Sequence, residues 1–172
     1  MKKLIQLKNR SIARLANSIP AFARLLTASH TPPKAKDVPW NLIKKLLDES
    51  NIALITTAGV HHTHHEPFNM SDPMGDPTYR IIDAQTIEED YLITHDYYDH
   101  RDADKDLNIV FPITRLKEMA AEGIVGSVAK HHFSFMGHIK GSHLDNLLET
   151  YAPQVAARLV QNQVDAVLLT PG

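Results

Sequence analysis

The last eight residues, DAVLLTPG, form a mostly apolar strand that runs into a Pro-Gly turn at Gly172. Apolar strands are typical of parallel sheets, which are covered on both faces and place their ligands in the loops beyond the carboxyl ends of the strands. Because the chain stops at that point, we expect it to be incomplete at the C-terminus. The residues present would then form the walls of a site whose reactive group lies beyond Gly172.

From Trp40 onward, short apolar stretches alternate with helical patterns. Strands are predicted at 52–57, 79–83, 91–94, 124–128, 133–136 and 164–170. Helices are predicted at 41–49, 112–122 and 143–162, with a cap at Gly123 and an interruption at Pro153. Strands separated by helices favour parallel pairing. We therefore expect an α/β fold with a mostly parallel sheet and flanking helices, in the manner of a Rossmann-like layered domain.

Composition limits the classes of protein to consider. Apolar residues make up 43% and charged residues 22% of 172 residues, which is typical of one globular domain. No apolar run approaches the ~18 residues of a membrane span and no signal peptide is recognisable, so a cytoplasmic location is expected. The chain has no Cys, which excludes disulfides, thiolate zinc sites and thiol nucleophiles within these residues.

Charge is distributed unevenly along the chain. Residues 1–36 carry eight Lys or Arg and no acid, whereas the remainder carries ten Lys or Arg against 20 acids, a net charge of −10. A Pro-rich connector, TPPKAK, ends the basic part. These shifts predict a basic arm and connector at 1–36 and an α/β domain at 37–172.

Within the arm, Ile5, Ile12, Ile19 and Leu26 repeat every seven residues and predict an amphipathic helix that Pro20 kinks or divides. A targeting presequence, a membrane-surface helix and a nucleic-acid arm are conceivable interpretations. Packing against the acidic body or a partner is favoured, because tertiary contacts stabilise most such helices. Aromatic residues suited to base stacking do not alternate with the basic ones, so we expect no nucleic-acid partner.

Two further segments carry potential chemistry near the first strand. The turn TTAG at 56–59 has small residues that would let backbone N–H groups approach an anion, although ordinary turn geometry accounts for it equally well. The tract HHTHHE at 61–66 offers ligands for zinc or iron, but it matches no recognised metal signature. If a metal is bound, the candidate ligands are His61, His64, His95 and His100; otherwise no metal is expected.

The segment THDYYDHRDADKD at 94–106 holds two His and five Asp. Like charges so close together need compensation by cations, hydrogen bonds or a metal. An EF-hand is excluded, since Leu107 stands where that loop needs Gly and Ile113 where it needs Glu. Two interpretations stay open: the acids cap turns and bond to the histidines, or His95, Asp96 and His100 form an acid-base site, because imidazole titrates near neutrality.

Several segments, taken in order, resemble the glycine/sarcosine/betaine/D-proline reductase selenoprotein B family from Trp40 to Gly172: ALITTAGVH, EPF, GDPTYR, HDYYDHRDADKDLNIVFP, SFMG and DAVLLTPG. The resemblance implies a subunit that reductively cleaves the C–N bond of glycine, sarcosine, betaine, D-proline or a related small amine. In this family the last strand is followed by selenocysteine, or by cysteine in some members. Selenocysteine is encoded by a codon normally read as stop, which would account for an end at Gly172.

The same resemblance implies which residues line the pocket of the absent nucleophile. His95, Asp96 and His100 are the candidate acid-base residues. The candidate substrate-binding residues are Thr57, Gly59, His61, Asp102, Asp104, Asp106, Ser134, Phe135, Met136 and Gly137. Our hypothesis is that His95 or His100 positions or protonates the leaving amine while the Asp cluster holds the imidazoles.

The resemblance also implies partners. No cofactor is expected within this chain, whereas other subunits of a reductase complex, one of them able to carry a pyruvoyl group, and a thioredoxin-type electron donor are expected. The chain as it stands would be inactive. Two rival hypotheses remain: a His- and Asp-rich metal-binding or metallohydrolase domain, and a non-catalytic partner subunit that docks through its basic arm.

Overall fold

A computed structural model describes residues 2–28, 41–85 and 90–172. The helices are α1 (Lys2–Ser18), α2 (Pro20–Thr27), α3 (Ile113–Ala121), α4 (Ser142–Asn146) and α5 (Ala152–Gln161). The strands are β1 (Asn51–Thr56), β2 (Val60–His62), β3 (Arg80–Asp83), β4 (Tyr91–Ile93), β5 (Ser127–Val128), β6 (His131–Ser134) and β7 (Ala166–Thr170). Short 3-10 turns occupy Leu47–Glu49 and Leu107–Ile109.

Strand β1 is the centre of the main sheet. It pairs in parallel with β5 and β6 along one side and with β7 along the other, so that Ile55 lies between Phe133 and Leu169. Strand β3 joins the far side of β6 in antiparallel orientation, and β2 and β4 form a separate antiparallel ribbon. The α/β class is confirmed. The sheet is mixed, because β3 runs antiparallel to β6. The connection from β1 to β3 contains no described helix, and a parallel strand usually needs a helical crossover.

Apolar side chains cover both faces of this sheet. One face packs Ile52 and Leu54 of β1 against Phe111, Ile113 and Leu116. The other face packs β6 and the residue after it against the helix before β7, through Phe133, Phe135 and Val155. A central strand with both faces covered requires the near-continuous apolar run IALI that the sequence displays.

His132 completes the hydrogen bonding of the central strand. Between the stretches where β1 pairs with β5 and with β6, the Leu54 N–H donates to Nδ1 of His132 at 2.8 Å. This contact requires the tautomer with its proton on Nε2, because Nδ1 is the acceptor. Burial lowers the pKa of His132 to about 4, so the imidazole is neutral at neutral pH. A side chain therefore satisfies a backbone donor that strand pairing leaves free.

Of the three helices predicted after Trp40, two are present in the structure and one is not. The helix at 112–122 is confirmed as α3, and Gly123 follows it with φ of 71° as a C-terminal glycine should. The predicted helix at 143–162 is a continuous helical segment in which a π-helical turn, Leu147–Tyr151, precedes Pro153. The predicted helix at 41–49 is wrong: only Leu47–Glu49 form a 3-10 turn, and the exposed side chains Leu42, Ile43 and Leu46 bury no apolar face that would stabilise a helix.

The N-terminal arm consists of two helices that meet just before Pro20, as predicted. Proline is tolerated at the start of α2 because the first N–H groups of a helix have no intrahelical partner. The Pro-rich connector lies within residues 29–40, outside the described residues, so the boundary at residue 36 stays a prediction. Of the helices described, none combines the length and the apolar character that crossing a bilayer requires.

We predict that His132 stabilises the fold through its acceptor and makes stability depend on pH. His132→Leu leaves the Leu54 N–H buried without a partner and should lower the free energy of unfolding by about 1–3 kcal/mol in urea titrations at pH 7. His132→Asn, whose side-chain oxygen can still accept, should lose less.

The pH dependence has a definite sign. The unfolded state takes up the His132 proton below pH 6.5 but the folded state only near pH 4, so the free energy of unfolding should fall as pH drops from 6.5 towards 4. In His132→Asn this slope should be smaller than in the unaltered chain. Equal slopes in the two proteins would contradict the assignment.

Candidate functional site

The carboxyl ends of β1, β6 and β7 converge at one edge of the sheet. The Thr57 N–H donates to the Thr170 carbonyl at 3.0 Å, and the Phe135 N–H donates to the Thr56 carbonyl at 2.9 Å. Beyond β7, the Gly172 N–H donates to Oγ1 of Thr57 at 3.2 Å. A Cβ on Gly172 would lie 2.4 Å from Cα of Ala58, so the backbone at Gly172 lies directly against Ala58.

Two glycines allow the loops at this edge to approach each other. Gly59 and Gly137 both have φ of 74°, in the left-handed region. A Cβ on Gly59 would lie 2.5 Å from the Thr94 carbonyl oxygen, and one on Gly137 would lie 2.8 Å from the Thr57 carbonyl oxygen. Side chains at either position would push the loops apart, so both glycines are needed for this packing.

The turn after β1 has already used its amide donors. Besides Thr57, the Ala58 N–H donates to Oγ1 of Thr56 at 3.1 Å, and the Gly59 N–H donates to the Phe135 carbonyl at 2.9 Å. These three donors are therefore not directed at a ligand. Of the two interpretations of the TTAG turn, the structure supports turn geometry over an anion cradle.

His95 links the loop after β4 to the loop after β6. Its Nδ1 accepts from the Tyr97 N–H at 3.1 Å, and the ring also hydrogen-bonds to the Met136 backbone. Only 5% of the residue is exposed, and burial lowers its pKa to about 4. A neutral imidazole with both nitrogens engaged in the fold is better suited to holding the two loops than to protonating a substrate.

Asp96 is contacted by the N-terminal arm. Its Oδ1 accepts from Nε of Arg10 at 2.7 Å, although the residue is only 1% exposed. Asn9, the preceding residue of α1, hydrogen-bonds to the Tyr97 hydroxyl. The other carboxylate oxygen of Asp96 is buried and has no partner among the described residues. The basic arm thus packs on the acidic loop, as the favoured interpretation of its sequence proposed.

His100 lies on the rim of a small cleft and is paired with an acid. Its Nδ1 lies 2.8 Å from Oδ1 of Asp104, so Nδ1 donates to that carboxylate and Nε2 is the ring nitrogen suited to exchanging a proton with a ligand. The cleft has a volume of about 120 Å³. Its lining residues are Arg10, Arg14, Tyr98, Asp99, His100, Arg101 and Asp104.

Tyr98 connects this cleft to the edge of the sheet. Its hydroxyl donates to the Ala58 carbonyl at 3.2 Å, and its ring lies 4.7 Å from the His95 ring and 5.6 Å from the His100 ring, measured between centroids. Burial raises the pKa of Tyr98, so the phenol stays protonated. Since Ala58 also lies against Gly172, Tyr98 is the bridge between Gly172 and His100.

The remaining predicted site residues lie apart from this cleft. His61 is buried, with Nδ1 donating to the His62 carbonyl and Nε2 accepting from the Thr94 hydroxyl, each at 2.8 Å, and burial lowers its pKa. Ser134, Phe135 and Met136 are buried, the latter two in apolar clusters.

Two acids of the loop have other partners. Asp102 forms an exposed ion pair with Lys105, and Asp106 caps the 3-10 turn by accepting from the Asn108 N–H. Capping of this kind favours a structural role for Asp106.

The proposed metal ligands are not assembled. Within residues 2–28, 41–85 and 90–172, no three His, Asp or Glu side chains are arranged to hold a metal ion. His62, His64 and His65 do pack together, with ring centroids 4.6 to 5.1 Å apart. His62 and His64 lie almost parallel, at 9°, an arrangement typical of ring stacking and not of convergence on one ion.

Sequence reasoning did not assign seven residues that the structure places around the site: Arg10, Arg14, Tyr97, Tyr98, Asp99, Arg101 and His138. Tyr97 and His138 stack with centroids 3.7 Å apart and so join the same two loops as His95. The two tyrosines stood inside the HDYYDH motif, which was the available signal. Nothing in the sequence indicated that Arg10 would reach a residue 86 positions away.

Fold and site together define an α/β protein with a small polar cleft between the helix α1 and the loop after β4, which Tyr98 connects to the carboxyl ends of the central strands. The chain belongs to the glycine/sarcosine/betaine reductase selenoprotein B family, whose model matches residues 22–172. The match begins within α2, earlier than the resemblance from Trp40 indicated. No solved structure matches the chain.

Curated relatives agree with this family. D-proline reductase subunit gamma of Acetoanaerobium sticklandii is 35% identical over 142 residues, which cover 83% of this chain and 55% of the relative. Glycine reductase complex component B subunit gamma of Carboxydothermus hydrogenoformans is 31% identical over 140 residues, covering 80% and 32%. Sarcosine reductase complex component B subunit beta of Peptoclostridium acidaminophilum is 26% identical, covering 77% and 30%. The chain therefore spans about half or a third of the length of these relatives.

We predict that Gly59 is required for its missing side chain and not only for its backbone angle. Gly123→Ala, at φ of 71° with nothing within 4 Å, should cost only the left-handed penalty of about 1 kcal/mol. Gly59→Ala adds the overlap with the Thr94 carbonyl and should cost clearly more in urea unfolding at pH 7. Equal costs would show that the loops can separate freely.

We also predict that the Arg10 ion pair holds the arm in place. Arg10→Gln should raise amide hydrogen exchange in α1 and the rate of proteolysis there, because Asp96 loses its cationic partner. Lys8→Gln removes the same charge from the same helix, has no ion pair described, and should leave both rates near those of the unaltered chain. An equal rise in both variants would point to net charge instead of the Arg10 contact.

Proposed function

We propose that this chain forms the N-terminal portion of a selenoprotein B-type reductase subunit that reductively cleaves a C–N bond in glycine, sarcosine, betaine, D-proline or a related small amine. Family membership supports the reductase class, and three relatives are named as reductase subunits acting on D-proline, glycine or sarcosine. The observation that carries the proposal is the position of Gly172, whose N–H bonds to Thr57 at the carboxyl ends of the parallel strands.

The nucleophile would be a selenocysteine or cysteine attached after Gly172. When present, such a chalcogenolate supplies two-electron chemistry: it bonds to the substrate carbon as the C–N bond breaks and the amine leaves with a proton, and a thiol then releases the reduced, protonated carbon product while the two chalcogens become oxidised. A dithiol donor restores the starting state. Thioredoxin-type donors and a pyruvoyl-bearing subunit belong to this proposal.

Residues of this chain would prepare the site for that chemistry. Gly59 and Gly137 keep the loops close, and the buried His95 fixes their relative position. The residue after Gly172 would lie next to Thr57 and Ala58. Tyr98 lies between Ala58 and His100. His100, oriented by Asp104, would exchange a proton with the leaving amine through Nε2, the ring nitrogen directed away from the carboxylate.

The charge of the cleft suits an amino-acid substrate. Three arginines line the cleft around His100, namely Arg10, Arg14 and Arg101. Arg10 and Arg101 already pair with Asp96 and Asp99, whereas Arg14 has no ion pair with the residues that the structure describes and acts on Asp99 through its charge. Guanidinium groups bind carboxylates through paired hydrogen bonds, so Arg14 is the residue best placed for a substrate carboxylate.

We predict that, in a form extended beyond Gly172 with the nucleophile present, His100→Ala lowers substrate reduction by roughly 10²–10⁴-fold, the usual contribution of a proton-transferring group. Asp104→Asn should have a smaller effect through the orientation of His100. His143→Ala removes an imidazole that pairs with Asp72 elsewhere and should leave turnover unchanged. Circular dichroism of each variant checks the fold.

Two further results would count against the proposal. Full turnover of His100→Ala would remove His100 from the mechanism. A coding sequence that ends with an ordinary terminator after Gly172, with a native product of matching intact mass, would favour a non-catalytic subunit. An in-frame UGA or a Cys codon followed by further coding sequence is the expected finding.

A further inference from the structure

Strand β7 leaves three apolar side chains uncovered on both faces of the sheet. Val167, Leu168 and Leu169 are 36%, 47% and 70% exposed. Leu168 pairs with Leu54, so it points to the face that carries the larger core, whereas Val167 and Leu169 point to the opposite face. Parallel strands are normally covered on both faces of the sheet. β7 therefore lacks a covering layer on each of its two faces.

The free edge of β7 is also unprotected. Among the described residues, β7 pairs only with β1, and its sequence AVLLT contains no charge or proline that would discourage further pairing. The strand at the opposite end of the sheet, β3, has Arg80 and Asp83 at its two ends. One edge strand of the sheet thus carries charged residues and the other, β7, carries none. This difference indicates that β7 pairs with a further strand.

Further exposed apolar residues stand before β7 in the chain. Val160, near the end of α5, is 76% exposed, and Lys45 pairs with Asp165 immediately before the strand. The exposed Leu42, Ile43 and Leu46 flank Lys45 in the chain. We call Val160, Val167, Leu168 and Leu169 the β7 surface. Exposed apolar side chains of this kind are typical of protein interfaces.

We propose that the β7 surface docks the polypeptide corresponding to the length of the relatives that this chain does not match, with one of its strands pairing with β7 and helices covering both faces. The matched region accounts for 55% of the D-proline reductase subunit and 32% of the glycine reductase subunit, so such a polypeptide exists in each relative. This inference does not depend on the chemistry proposed above.

The geometry favours this occupant over a second copy of the chain. Two copies related by a two-fold axis would join their β7 edges in antiparallel orientation and leave Leu168 and Leu169 uncovered on the faces. A strand added in parallel orientation comes with a crossover helix, which covers a face at the same time as the edge is paired. Only a parallel strand with its crossover helix would both pair the free edge of β7 and cover its apolar side chains.

Photo-crosslinking in the native host tests this assignment. A photoreactive phenylalanine analogue replaces Leu169 in the gene at its own locus, and Leu92, which is 50% exposed on β4, serves as the matched control position. Irradiation followed by peptide mass spectrometry should give cross-links from position 169 to peptides similar to the unmatched part of the relatives, at a yield well above that from position 92.

A second measurement applies if the photoreactive residue at position 169 itself disturbs the fold. Leu169→Lys should weaken the association or raise amide exchange in β7 by roughly tenfold, which corresponds to the loss of one buried leucine, whereas Leu92→Lys should not. Cross-links mainly to another copy of β7, cross-links to an unrelated protein, or a yield at 169 no higher than at 92 would each overturn the assignment. Substrate turnover is not measured, so the outcome is separate from that of the proposed function.

Discussion

The structure depends on hydrogen bonding along both edges of β1. Ala53 and Leu54 are completely buried, so every N–H and C=O in this part of the strand needs a partner. β7 supplies partners along the whole of one edge, whereas β5 and β6 supply them only at the two ends of the other. His132 accepts from Leu54 in the gap between them, and this gives the buried Leu54 N–H a partner where the chain steps from β5 to β6.

Fixing β1 in this way also fixes the site. The strand ends at Thr56, after which Thr57 bonds to Thr170 and Gly172, and Gly59 bonds to Phe135. Ala58 accepts from the Tyr98 hydroxyl, and together these bonds bring the loops after β4, β6 and β7 to one point. Gly59 and Gly137 make that approach possible because they have no side chain. His95 and the stacked pair of Tyr97 and His138 then attach the acidic loop to the loop after β6. The site is thus tied to the sheet by backbone hydrogen bonds, and His100 lies further out on the rim of the cleft.

Two of the histidines singled out by motif are held inside the fold. His61 and His95 matched the family pattern, yet each has hydrogen-bonding partners inside the fold and a pKa lowered by burial. His100 has its acidic partner on a less buried rim. A motif reports which residues a family uses, but burial decides whether an imidazole carries a proton at neutral pH, and burial depends on contacts that are distant in sequence.

Local patterns were sufficient for most elements. The apolar runs at β1 and β7, the proline and glycine around α3, and Pro20 in the arm each express a backbone preference that neighbouring residues do not override. The same reasoning failed at 41–49, where a helical pattern had no surface to pack against. The strand predicted at 79–83 is confirmed as β3, but its antiparallel pairing with β6 could not be read from local patterns.

The sequence by itself determined the α/β class, the family, and the ordered segments that meet at the site, because these follow from periodicity and from motifs read along the chain. Only the tertiary structure decided which histidines are buried, that Arg10 reaches Asp96, that His132 fills a gap in a strand ladder, and that β7 is uncovered on both faces. Those facts depend on pairs of residues far apart in the chain, and their proximity is fixed by packing and not by local preference.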